Sequence, residues 1–231
     1  VDSRIIQKGI RKDGISQSEK DYMSLEIQLK YIEGQLWGMS MGAFGGCYGL
    51  RSTYAIHLPK EIIVDDFYIS MHAMLSGGKC ITNLDAKCYE NIPNQFEEEF
   101  KRKQRISSGN FLNLSLFTKL NLKWRPGLYF VFISHKVLRW FGPVLIIVQI
   151  LSSMILAFMS FPFFTFISYL NFVSIVILPI TDIILRRLDI HLRVLRGWRY
   201  FITMNIALFC GLILYLKGLN QSTWEPPKRL I

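Results

Sequence analysis

The chain has 231 residues, a formal net charge of +10, and 51% hydrophobic against 19% charged residues. That excludes a disordered chain, which needs low hydrophobicity and high charge, and a collagen-like one, which needs a glycine repeat. Residues 1–126 carry 17 Lys and Arg against 14 Asp and Glu, a net of +3. Residues 127–231 carry 10 against 3, a net of +7, in a mostly apolar background, so a soluble part over 1–126 and a membrane part over 127–231 are expected.

Val1 is not a start residue and no leader with a basic, an apolar and a small-residue region follows it, so the chain is expected to lack its natural beginning. Ser18 and Asp21 precede an amphipathic run from Tyr22 to Trp37, with apolar residues at Met23, Ile27 and Tyr31 and at Leu25, Leu29, Ile32 and Leu36. This predicts a helix with an N-cap and an acidic first turn. The stretch from Gly38 to Gly49, GMSMGAFGGCYG, must be loop or tight turn. It fits neither GxxxxGK[ST] nor GxGxxG, which excludes a P-loop and a dinucleotide fingerprint. Ile62–Val64 reads as a short apolar strand ending in Asp65–Asp66, followed by a helix through Ser70 and Met74 that Gly77–Gly78 stops. Lys79–Leu84 and Ala86–Glu90 read as two short strands around Asp85. NQFEEEFKRKQRISSGNFLNL then runs from acidic to basic, as a helix macrodipole favours.

From Phe141 to Leu185 the only ionisable residue is Asp182, which leaves room for two spans, near Phe141–Met159 and Phe163–Leu185, broken at Ser160–Pro162. Tyr200–Leu216 is a third uncharged apolar run, which spans or lies flat. The segment RRLDIHLRVLRGWR sets five arginines against Asp189, which places this loop and the N-terminal part in the cytoplasm. Tyr129–Trp140 and the arginine segment, with Leu192, Leu195 and Trp198, read either as interfacial helices or as flanking anchors. Asp182 is expected to pair with Arg186.

Cys47, Cys80, Cys88 and Cys210 show no CxxC pairing, so free thiols are expected rather than a disulfide framework. His57, His72, His135 and His191 are equally scattered, without zinc-site spacing. Asp65–Asp66 reads as a general base at a strand end or as a helix cap. Arg102 and Arg105, at i and i+3 in the cluster Lys101, Arg102, Lys103, Gln104, Arg105, could hold a diphosphate with two guanidinium forks. The same cluster also reads as a solvated or lipid-facing basic patch. Nucleic acid is a poor partner, since exposed aromatics are not interleaved with the basic residues.

The order of these pieces resembles the C-terminal half of a family 2 glycosyltransferase, the membrane-bound group of cellulose, chitin and hyaluronan synthases. The resemblance runs from about Tyr22 to Arg229 through GGCYGLRSTY, VDDFYI, SGGKCI, FKRKQRISSGNF, SHKVLRW and STWEPPKR. It implies an α/β fold, the C-terminal part of a GT-A-like domain followed by about three transmembrane helices. It also implies an inverting enzyme, multi-pass in an inner or plasma membrane. Such an enzyme moves a sugar from a nucleotide-diphosphate donor to a glycan or lipid-linked acceptor. Asp66 matches the family's catalytic base, and Asp65 is expected to orient Asp66 or cap the helix. QxxRW maps onto Arg102–Ile106, where Arg102 stands for Gln and Ile106 for Trp while Arg105 is kept. Arg105, Arg102 and Gln104 are thus expected at the leaving diphosphate. Gly45, Gly46 and Cys47 are expected at the acceptor, with Arg51 bridging loop and site. A divalent cation, Mg or Mn, is implied, but no DxD occurs in these 231 residues. Its ligands are expected mostly outside this chain, which then reads as a fragment, as one partner of two, or as an inactive remnant. The competing reading is a non-catalytic membrane scaffold or a transporter subunit with a basic cytoplasmic domain.

Overall fold

The computed structural model describes residues 1–10, 15–92, 94–119 and 126–218. It is mostly helical, with a small two-stranded parallel sheet and long apolar helices at the C-terminal end. Strand β1 (Asp2–Lys8) pairs with β2 (Thr82–Asn91), and the register slips between Ser3 and Arg4. The slip falls at Asp85, whose amide donates to the Asn83 side chain at 2.9 Å. The break expected there is a bulge within one strand, because the parallel neighbour β1 binds both flanks. Parallel pairing joins residues some eighty positions apart, and no local pattern announces it.

Helix α1 (Ser16–Trp37) starts six residues before the pattern from Tyr22 suggests, and its N-cap is Ile15, without a side-chain cap. Ser18 and Asp21 therefore lie inside the helix. It ends at Gly38, whose φ of 65° suits a residue without Cβ. Helix α2 (Asp65–Leu75) ends before Gly77, at φ 90°. No strand precedes it: residues 61–64 are turn and loop, which corrects the strand expected over Ile62–Val64. Helix α3 (Phe96–Lys119) follows its charge gradient as expected. The apolar core gathers Phe67, Met71 and Met74 of α2 with Phe111 and Phe117 of α3. It also takes in Leu128, Val131, Phe132 and Trp140, so it draws on both sides of residue 126.

These last residues belong to a helix formed by α4 (Pro126–Val131), a π-helical turn (Phe132–Val137) and α5 (Leu138–Trp140). A 60° bend separates it from α6 (Gly142–Phe158). Two of its polar side chains turn inward. His135 and Lys136 are buried, and they meet Glu33 at 2.7 Å and Glu26 at 2.7 Å on α1. Charges that read as interfacial are interior ion pairs.

Helix α7 (Pro162–Phe172), a π segment (Val173–Ile177) and α8 (Leu178–Arg187) form one apolar rod, and α9 (Arg193–Leu216) a second. Both are long and apolar enough to cross a membrane; the bent pair 127–158 is a possible third. The turn at Ser160, with φ 63°, sits where the break was expected. Asn171 donates to Ser153 at 3.0 Å across α6 and α7, and Trp198 of α9 donates to the Ser174 carbonyl in the π segment at 2.6 Å. The arginine segment is not one loop: Arg193, Arg196 and Arg199 lie on α9. Asp182 pairs with Arg199 at 3.0 Å and Arg196 at 3.9 Å, rather than with Arg186, because α8 and α9 pack side by side. The segment STWEPPKR, 222–229, lies outside the described residues.

Candidate functional site

Helix α3 organises the site because its sequence alternates what its faces can approach. Gly109 lets the chain before α2 come close: a Cβ there would lie 2.7 Å from Val64 Cγ2 and 2.9 Å from Ile63 Cβ. One turn on, the buried Asn113 amide donates to the Val64 carbonyl at 3.1 Å. Arg105 stands one turn before Gly109 on the same face, since residues four apart are neighbours on a helix. Residues 105, 109 and 113 thus form a stripe, of which Gly109 and Asn113 meet the segment leading into α2.

At that start, the Asp66 amide donates to Asp65 Oδ1 at 3.0 Å and the Phe67 amide to Asp66 Oδ1 at 2.6 Å. Both carboxylates therefore serve the first helical turn, where the helix dipole favours negative charge. Asp65 is exposed and Asp66 is half-buried. Burial pushes the Asp66 carboxyl above its ordinary value, with Asp65 and Asp2 adding to the rise; the Phe67 amide and Lys30 oppose it. Arg105 lies within the field of both aspartates. Burial, then the like charge of Arg102, lowers its affinity for its proton, and Asp66 and Asp65 restore part of it. A guanidinium stays cationic throughout.

The glycine loop closes the other side. Asp66 Oδ2 would lie 2.8 Å from a Cβ at Gly45, so a larger residue there would push the carboxylate from its present position. Gly46 packs on the sheet, with Ile5 Cδ1 3.2 Å from where its Cβ would be. Cys47 is exposed, and its carbonyl accepts from Ser3 Oγ at 2.6 Å. All four cysteines are free thiols. Of the expected residues, Gly45 meets Asp66, Asp65 accepts from the Asp66 amide, and Arg105 acts on both aspartates through its field.

Others are not. Arg51 is exposed and opens the turn Ser52–Tyr54; among the described residues its side chain makes no hydrogen bond or ion pair. Gln104 has its carbonyl against α9, 2.4 Å from where a Cβ on Gly211 would be. Arg102 turns its fork elsewhere: Nε and Nη2 donate to the two Glu99 oxygens at 2.8 Å each, and Nη2 also donates to Glu19 at 2.7 Å. Partial burial opposes its charge, yet Glu99 and Glu19 hold it more firmly protonated than a free guanidinium. Lys103 joins the cluster, and Tyr200 of α9 donates to Glu19. These interior carboxylates are what the expected diphosphate role of Arg102 has to compete with.

Two residues went unnoticed in the sequence. Lys30 is buried on α1, and Asp2 is buried on β1. The Lys30 ammonium donates to Asp2 Oδ2 at 3.3 Å and sits 3.3 Å over the Phe44 ring. The only signal for Lys30 was the neighbouring Glu26 and Glu33, which reads equally as an exposed ion-pair ladder.

Among the described residues, no group of three or more His, Cys, Asp or Glu side chains is placed to hold a metal ion. The described residues therefore do not fit the divalent cation that the resemblance implies. In comparisons with protein-family models, curated proteins and solved structures, nothing matches this chain.

Proposed function

We propose that the chain carries the acceptor-side half of a membrane-bound inverting glycosyltransferase. It would transfer a sugar from a nucleotide-diphosphate donor to a glycan or lipid-linked acceptor at the cytoplasmic face of an inner or plasma membrane. The observation that supports this most is the meeting of three distant segments: Asp66 Oδ2 lies against Gly45 and within the field of Arg105. A half-buried carboxylate with a raised proton affinity, approached closely by a glycine and within the field of a cation, is a chemically apt base.

The chemistry balances on this chain's own residues. A sugar hydroxyl is a weak nucleophile, so the Asp66 carboxylate takes its proton as the oxygen attacks the donor's anomeric carbon. The bond from that carbon to the diphosphate oxygen breaks, and a single displacement inverts the centre. Arg105 offsets the charge that grows on the departing diphosphate. Arg102, held by Glu99 and Glu19, supports the helix that carries Arg105, and the leaving-group role passes to Arg105. Asp65 accepts the Asp66 amide and so orients the base. The remaining donor contacts would come from further polypeptide or from a partner chain.

Native membranes bearing Asp66→Asn test this with radiolabelled nucleotide sugars. Transfer is expected to fall about 10²- to 10⁴-fold, the usual worth of a general base. The melting temperature at neutral pH should not fall, since Asn keeps the Phe67 hydrogen bond and removes a charge that burial disfavours. Transfer at the full rate overturns the reading. A non-catalytic scaffold or transporter subunit is the second reading, favoured by the occupied fork of Arg102; it predicts no change in transfer.

A further inference from the structure

Asp66 faces a loop, and a loop positions a base only if something holds the loop. The segment Phe44–Gly45 is tied at each side. Its outer tie is Asp2, whose Oδ1 accepts the Phe44 amide at 2.9 Å and the Ser3 amide at 3.0 Å. Its inner tie is α2, where Ser70 Oγ accepts the Ala43 amide at 3.4 Å and donates to the Phe67 carbonyl at 3.0 Å. Lys30 unites the outer tie. Its ammonium bonds Asp2 Oδ2 and lies over the Phe44 ring, with only 2% of the side chain exposed. A buried ammonium is costly unless paired, and this one is spent on the two residues that fix the loop.

We propose that Lys30, acting through Asp2 and Phe44, is a positioning residue that holds Gly45 against the Asp66 carboxylate. The inference rests on the glycosyltransferase reading for its catalytic consequence, but the brace itself does not. The groups that act electrostatically on Asp66 are Lys30 on α1, Asp2 on β1, Asp65 on its own helix, Arg105 on α3 and Tyr48 in the glycine loop. Of these, Lys30 and Arg105 are the cations that favour the ionised base. Removing Lys30 therefore loosens the loop and also makes the base harder to deprotonate.

Two readouts separate the brace from the enzyme. Cys47 is exposed two residues beyond Gly45 and serves as reporter in a protein whose other thiols are replaced (Cys80→Ser, Cys88→Ser, Cys210→Ser). Maleimide labelling of Cys47 in detergent is expected to accelerate about tenfold with Lys30→Met. It should also accelerate with Lys30→Met combined with Asp2→Asn, which leaves no orphaned carboxylate if the single variant fails to fold. In native membranes, Lys30→Met should lower kcat with little change in the donor KM and shift the acidic limb of the rate to higher pH. Labelling at the parent rate in a folded variant overturns the brace. Faster labelling with an unmoved acidic limb confines Lys30 to a structural role and overturns the positioning claim. A parent protein that transfers no sugar overturns the glycosyltransferase reading and with it the catalytic claim, and labelling still decides the brace.

Discussion

Helices α1 and α2 stand in the same N-terminal part, yet they enter its interior by opposite means. Helix α2 buries Phe67, Met71, Ala73 and Met74. Helix α1 buries Glu19, Glu26, Lys30 and Glu33, with Ile27 as its buried large apolar residue. Its leucines face out: Leu25 is 68% exposed and Leu36 66%. Helix α2 is held by area removed from water, which is non-directional and tolerant of shape. Helix α1 is held by charge pairs, whose worth depends on every partner being present. The face of α1 that carries the pairs is also the face that meets the glycine loop and the helix 126–140. Directional contacts are thus concentrated where the candidate site needs fixed geometry.

The largest effect should come from removing one member of an interior pair without changing its size. Glu26 accepts from Lys136 at 2.7 Å and from Nη1 and Nη2 of Arg139. Glu26→Gln leaves two cations under-paired and is expected to cost about 3–5 kcal/mol, read as a lowered melting temperature in detergent. The pH dependence carries the same information. Burial works against the charge of Glu26, but Lys136, His135 and Arg139 outweigh it and hold the carboxyl far below the ordinary range. A depressed folded value means the contribution is complete above the unfolded value, about 4.3, and fades as the pH falls below it. The difference in stability between parent and Glu26→Gln should therefore shrink on acidification. A difference that stays constant down to pH 3 would break the contrast.

The matched change in α2 should be far milder. Met71 is fully buried in the aromatic cluster around Phe67, and Met71→Leu conserves volume. Its cost is expected below about 1.5 kcal/mol, by the same melting measurement. Equal losses from the two near-isosteric substitutions would show that α1 and α2 are held alike.

The contrast also explains what could be read in advance. The existence of α1, α2 and α3, the glycine stops of α1 and α2, and the apolar rods were legible, because each is encoded in local residue pattern or length. The buried face of α1 was not. Reading periodicity equates apolar with interior, and α1 inverts that. Strand β1 was invisible because its partner lies across the chain, and Asp182 was assigned to Arg186 because the α8–α9 packing that brings Arg199 closer is a tertiary fact. Within the candidate site, Gly45, Asp66 and Arg105 were legible from the order of motifs. Arg102 looked equivalent to Arg105 by spacing, and only the interior carboxylates Glu19 and Glu99 tell them apart. Lys30 and Asp2 carry no local signal that marks them as interior, since a buried ion pair and a solvated one are spelled with the same residues.

The smallest effect concerns the leucines that α1 turns outward. Leu29, 42% exposed, lies between Leu25 and Ile32 on this face. In detergent-purified protein Leu29→Lys is expected to shift stability by no more than about 0.5 kcal/mol, the usual range for surface positions. The side chain already meets solvent, and a lysine stem covers the same neighbours. A loss of several kcal/mol there would mean that Leu29 belongs to the apolar core, and α1 would then be held as α2 is. The substitution is thus the complement of Glu26→Gln. If polar pairs carry α1, a charge added outside is nearly free, while a charge deleted inside is the most expensive change in the N-terminal part.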